Sequence, residues 1–183
     1  MFLKFFSAFL FAALLSPGIL AADEVQSECG AAGPDAYFCF GDAFTKLDVD
    51  HGEGVSFWVH KTGFLSKVLV EDTGGKDVTQ GQIERQILAL VSEQAEHFGR
   101  DFAFSDLSAT TVGGVPFGTF SYRLRGATQE AAVLHSYVAV KGRVLQVVSQ
   151  LLLKSADTKA NALEEAHAAA LRAVKLEDPS SDA

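Results

Sequence analysis

The two cysteines, Cys29 and Cys39, both lie in the stretch ECGAAGPDAYFCF, residues 28–40. Two thiols at that spacing could form a redox pair, supply metal ligands or close a disulfide. A redox pair needs closer spacing and a cation or helix terminus that lowers the thiol pKa, and a zinc site needs two further ligands nearby. Neither is supplied around these cysteines. An even count in a chain that carries an export signal favours the disulfide, and closing this loop would stabilise by about 2 to 3 kcal/mol. The bond is expected to tie an irregular arm, Asp23 to Ala36, to a first strand near Tyr37 to Phe40. Two free thiols in the exported protein would refute it.

The other chemistry-bearing residues are scattered. His51, His60, His97, His135 and His167 each stand alone, without the short regular spacing by which two histidines share a metal. The segment LDVDHGEG offers Asp48, Asp50 and Glu53 as a weak calcium loop. It departs from the EF-hand pattern, with Gly52 at the fifth position, Glu53 at the sixth and Val59 at the twelfth, and it reads better as a polar turn. No G-x-S-x-G elbow prepares a serine nucleophile. VGGVPFG, residues 112–118, lacks the lysine and hydroxyl of a phosphate-binding loop and leads into a strand instead of a helix. No motif calls for a cofactor, and the chain is read as a non-enzyme. One aromatic feature is left. In VSFWVHKT, Trp58 and His60 share one face of a strand and Val55, Phe57 and Val59 the other. Trp58 is thus either core beneath the first helix or, with His60 and Tyr122, part of a partner or ligand patch.

The N-terminus sets the compartment. Lys4 precedes the apolar run Phe5 to Leu15, Ser16-Pro17-Gly18 breaks it, and Ala21-Ala22 comes before Asp23. This is the pattern of a signal peptide over residues 1–22, and the apolar run is too short to span a bilayer. No cysteine stands directly after the cleavage point, the nearest being Cys29, so no lipid anchor is expected, and the mature protein is assigned to the periplasm or medium. The net charge is −8 and Lys4 is the only charge in the signal, so the mature chain is more acidic still. An acidic chain without a Lys/Arg cluster argues against nucleic acid and anionic membrane surfaces as partners. An envelope protein or a small apolar ligand fits better.

The periodicities give the elements. A strand expected at Thr45 to Val49 precedes two β-branched and aromatic runs, Val55 to Thr62 and Leu65 to Asp72, that meet at Gly63-Phe64 as a hairpin. Thr79 with Gln82 forms a capping box, and Ile83, Ile87, Leu90, Val91 and Phe98 fall on one side of a helix over residues 80–98 that Gly99 stops. Four strands follow: Leu107 to Val112, Phe117 to Arg125, Ala131 to Lys141 and Val144 to Leu153. In the second, Phe120, Tyr122 and Leu124 alternate with Ser121, Arg123 and Arg125, which marks a sheet with one wet face; the last two are apolar on both sides and should lie centrally. A closing helix over residues 158–176 stripes Leu163, Ala166, Ala170, Leu171 and Val174. Residues 23–176 form one domain in this reading, and 177–183 a polar tail. The class is α+β: two helices packed on a mainly antiparallel sheet of six to seven strands, in the order β-β-β-α-β-β-β-β-α.

That order, together with VPFGTFSYRLRGATQEAAVLHSYVAVKGRVLQVVSQLLLKSADTKANALEEAHAAALRAV (residues 115–174), resembles the PsbP-like fold. The fold is shared by extrinsic photosystem proteins, Mog-type Ran-binding proteins and bacterial envelope proteins of the DcrB kind. The stretch has a strand after a Gly-Pro turn, a hairpin through Lys-Gly and a terminal helix; the first half agrees by element order alone. The resemblance implies an accessory, assembly or binding role rather than chemistry, and assigns no functional residue. The alternative is a periplasmic, hydrolase-like enzyme of unknown substrate.

Overall fold

The long strands of this chain pair mostly with their sequence neighbours, which is why the sheet they form is antiparallel throughout. The computed structural model describes residues 29–33, 36–39, 41–49, 52–97, 101–125, 130–153 and 160–176. In chain order the strands are β1 (Cys29–Gly33), β2 (Ala36–Cys39), β3 (Phe44–Leu47), β4 (Val55–His60) and β5 (Leu65–Asp72). After helix α1 (Gln80–His97) come β6 (Asp101–Val112), β7 (Val115–Arg125), β8 (Glu130–Val140) and β9 (Arg143–Leu153), and then α2 (Ala160–Ala173) and β10 (Val174–Leu176). Seven strands make the main sheet in the order β3-β4-β5-β9-β8-β7-β6, and three make a smaller one, β1-β2-β10. Among the described residues, no helix is long and apolar enough to cross a membrane.

The helices cover opposite faces. The α1 stripe Ile83, Ile87, Val91 and Ala95 is buried against Phe120, Tyr122, Leu124, Val133, Tyr137 and Val148. The helix starts where its capping box requires: the Gln82 N–H donates to Thr79 Oγ1 at 3.3 Å, and the Thr79 N–H donates to Gln82 Oε1 at 2.8 Å. On the other face Ala170 and Leu171 of α2 pack with Val138, Leu145 and Val147, in a cluster that also holds Ala32, Ala36 and Phe38 of the small sheet. Strands β8 and β9 are therefore covered twice, as their apolar runs demand. On β7 the alternation is visible in burial, with Phe120, Tyr122 and Leu124 inside and Arg123 and Arg125 exposed.

Three expectations change. The segment that composition marks as an irregular arm contains β1 and pairs with β2, Cys29 opposite Cys39. The disulfide joins these two cysteines across the pair. The closing helix ends at Ala173 rather than at 176, because Val174, Lys175 and Leu176 pair with Phe38, Tyr37 and Ala36. Strand β6 begins at Asp101, six residues before the expected start, with a register break between Phe104 and Leu107 of the kind that blunts an edge strand. Phe98, Gly99 and Thr158 lie outside the described residues.

One glycine is required for packing. A Cβ on Gly118 would stand 2.6 Å from Cζ and 2.7 Å from the hydroxyl of Tyr137, a ring that lies directly over β7 and is itself buried. Gly118→Ala must displace a rigid aromatic. It is expected to cost about 2 kcal/mol, the range of core overpacking, read as a lower melting temperature by circular dichroism.

Candidate functional site

Trp58, His60 and Tyr122 do not form a patch. Trp58 is fully buried. It stacks on Phe38 at a centroid distance of 4.5 Å, and its indole N–H donates to Ser56 Oγ at 2.9 Å. It is core, as one of the two readings had it, but under the small sheet and on the face away from α1. Tyr122 is buried on the α1 face. His60 is half-buried at the sheet margin, edge-on to Phe44, with Nδ1 2.6 Å from the Thr62 hydroxyl. For the calcium reading, Asp48 and Glu53 are exposed and Asp50 lies outside the described residues. Among the described residues no group of three or more His, Cys, Asp or Glu side chains stands ready for a metal.

What the fold does assemble is a buried polar ladder. His167 on α2 has Nε2 2.8 Å from Ser136 Oγ on β8 and Nδ1 2.9 Å from Ser149 Oγ on β9. Ser136 continues to Thr119 Oγ1 on β7 at 2.6 Å, and Ser149 to Ser66 Oγ on β5 at 2.9 Å. One imidazole thus ties four strands and a helix, and with a neutral ring the four bonds can all point one way, each polarising the next. Burial pushes the His167 pKa down to about 4. Serine, histidine and a 2.8 Å contact are the parts of a nucleophile and base, but Ser136 and Ser149 are 0 % and His167 is 4 % exposed. In this arrangement the ladder anchors α2.

His135, on the opposite face, donates from Nε2 to Gln146 Oε1 at 3.0 Å, and its Nδ1 has no hydrogen-bond partner among the described residues. Burial pushes its pKa down to about 3, with Lys67 and His167 acting in the same direction and Gln146 against. Lys67, 7 % exposed and over the Phe57 ring, is likewise lowered by burial, to about 8.

One helical turn beyond His167, α2 borders the most promising open site. A groove of about 490 Å³ lies between the β6–β7 turn, the β8–β9 turn, the end of α2 and β10. Its floor is Phe117, Leu145 and Leu171, and Val112, Val115, Val140 and Val174 form half-buried walls. Its rim carries Lys141, Arg172 and Lys175, all exposed, and among the described residues no acidic side chain lines it. The described lining is thus cationic in a chain whose net charge is −8. The contrast is a second cavity of about 180 Å³ near the start of α1, lined by Glu71, Asp72 and Asp77 with Lys76.

Lys141 is held in an unusual backbone state. With φ of 50° it precedes Gly142, φ 75°, in the two-residue turn between Val140 and Arg143. Both values suit a type I′ hairpin, whose first position favours Asn, Asp or Gly. The turn is braced from β5's end, where the Thr73 N–H and hydroxyl both donate to the Gly142 carbonyl, at 2.9 and 2.8 Å. Lys141→Asn is expected to stabilise by about 0.5 to 1 kcal/mol, by relieving the left-handed strain on a longer side chain, measurable by urea unfolding. The rim residues were not apparent from the chain, because Arg172 and Lys175 read as the wet side of the closing helix and Lys141 as part of a turn. A lysine where Asn-Gly is usual was the available signal.

An antiparallel sheet with one helix on each face, and a small second sheet beside the C-terminal helix, defines an α+β protein of the PsbP-like, Mog-type fold. No protein-family model and no curated protein matches the chain in sequence. Solved structures match in shape. The cyanobacterial PsbP (CyanoP) of Synechocystis sp. PCC 6803 aligns with a TM-score of 0.59 at 12% identity, covering 91% of this chain and 100% of that one. A point mutant of Mog1 aligns at 0.55 and 10% identity, over 81% and 94%. LpqN, involved in cell envelope biogenesis of Mycobacterium tuberculosis, aligns at 0.50 and 14% identity, over 85% and 93%. Identities this low establish the fold alone.

Proposed function

We propose that this protein is an exported, non-catalytic accessory module of the cell envelope that works by binding another protein through the groove at the end of α2. The observation that carries the reading is the groove itself, with an apolar floor and three cations, and no acid among its described lining residues, on an acidic chain. Such a site has the concavity and the few polar groups that binding needs, and its described lining holds no titratable cluster of the kind that catalysis needs. The signal-like N-terminus supports export, and N-terminal sequencing of the mature form is expected to begin at Asp23. The likeness in fold to LpqN supports an envelope role.

A photo-crosslinking residue placed at Val115 in the groove wall, in cells, is expected to trap one discrete protein species. The same residue at Glu93, exposed on α1, should not. Equal trapping at both positions, or none at Val115, would refute the groove as the working surface. The hydrolase reading has one observation in its favour, the Ser136–His167–Ser149 contacts. Its test is covalent labelling of Ser136 by a fluorophosphonate in the native protein.

A further inference from the structure

Among the described residues, strand β10 is bonded to β2 on one side only, and in the order β1-β2-β10 it forms the edge of the small sheet. The groove is lined by Val174 and Lys175 of β10 and by no residue of β1 or β2. Consecutive strand residues point to opposite faces, so a groove lined by both Val174 and Lys175 borders β10 along its edge, on the side away from β2. An open edge offers backbone N–H and C=O groups to a further strand. Here the next strand position lies over an apolar floor, Phe117, Leu145 and Leu171, and under the cations Lys141, Arg172 and Lys175.

From this coincidence we propose that the groove receives an extended acidic–apolar peptide segment of a partner protein, which adds to β10 as the fourth strand of the small sheet. The proposal rests on the binding reading above and gives its occupant a chemistry. A strand sends alternate side chains to opposite faces. The segment that fits alternates small aliphatic residues, which fill the floor, with Asp or Glu, which meet the rim. Backbone pairing supplies affinity and the rim supplies selectivity, since a basic segment would meet three like charges. An anionic amphiphile would use the floor and rim but not the strand edge, so backbone dependence separates the two.

The probe is a fluorescein-labelled octapeptide of alternating Val and Glu, titrated into the full chain and followed by fluorescence anisotropy. Saturable binding is expected. Replacing each Glu by Lys should weaken it at least tenfold, and so should N-methylation of the amides along one edge of the peptide. Arg172→Glu with Lys175→Glu should weaken it at least tenfold with little change in melting temperature. Arg123→Glu with Arg125→Glu, exposed on β7 away from the groove, should leave it unchanged. Equal binding of the N-methylated peptide, or of the lysine peptide, overturns the proposal. So does binding that appears only after Glu177→Lys, Asp178→Lys and Asp182→Lys, because the occupant would then be the chain's own acidic tail. Trapping of a partner at Val115 while the peptide fails to bind would leave the binding function standing and remove this account of its occupant.

Discussion

His167→Ala is expected to lower the melting temperature by roughly 6 to 12 °C, the equivalent of about 3 kcal/mol for a chain of this size. The substitution removes the centre of the ladder and leaves two fragments, Ser66 with Ser149 and Ser136 with Thr119. Each inner serine loses its bond to the ring in a site closed to water, and an unpaired buried polar group costs about 1 to 3 kcal/mol. The missing imidazole also opens a void between α2 and the sheet. Ser66→Ala removes only the end of the ladder and should cost about 1 kcal/mol, near the worth of one net hydrogen bond. Calorimetry on His167→Ala, Ser66→Ala and Ser136→Ala, and on the double variant of His167→Ala with Ser136→Ala, checks the argument. The double variant should cost less than the sum of its parts, because the Ser136 hydroxyl is already stranded once the ring is gone. If His167→Ala costs no more than Ser66→Ala, the five groups do not act as a unit. The ladder also bears on the groove, since Leu171 and Arg172 sit one turn beyond His167 on the helix it anchors.

Where local rules govern, the chain could be read directly. Thr79 and Gln82 announce a helix start because both halves of a capping box lie within four residues, and both bonds form. The β7 alternation and the twice-covered β8 and β9 follow from period-two patterning and apolar runs. The small sheet was not legible, since CGAAG has little strand propensity. Its strands exist because a disulfide joins Cys29 to Cys39 and because Val174 pairs with Phe38, a contact between distant parts of the chain. Missing that sheet obscured both the cover over Trp58 and the edge beside the groove. His167 had a signal that its isolation among the histidines concealed. It stands four residues from Leu163 and from Leu171, both buried, so it had to face the sheet and needed partners there. Their identity as Ser136 and Ser149 depends on strand register, which no single stretch of sequence encodes.

Stability should fall as the pH drops below about 6.5, and the two buried histidines set the sign. His167 and His135 are neutral in the fold, their pKa values lowered to about 4 and about 3, in both cases chiefly by burial. In the unfolded chain each returns to about 6.5. The unfolded state therefore binds protons first, and their contribution, full above about pH 6.5, is lost as the pH falls toward the folded values. At about pH 5 each histidine has given up about 2 kcal/mol. Hydrogen bonding does not forbid the His167 cation, since both serines can turn to accept from the ring. Burial alone opposes it. Two other groups bend the curve. Burial raises the Glu71 pKa, which returns some stability in acid, and lowers that of Lys67 to about 8, so the penalty for its buried charge eases as the pH rises through that value. Urea midpoints between about pH 4 and 9 should accordingly fall on the acid side and rise gently above about 8. His135→Gln should lower stability at neutral pH and flatten the acid limb, because it removes a titrating ring. An acid limb as steep in that variant as in the parent would show that exposed carboxylates, and not the buried rings, control acid unfolding.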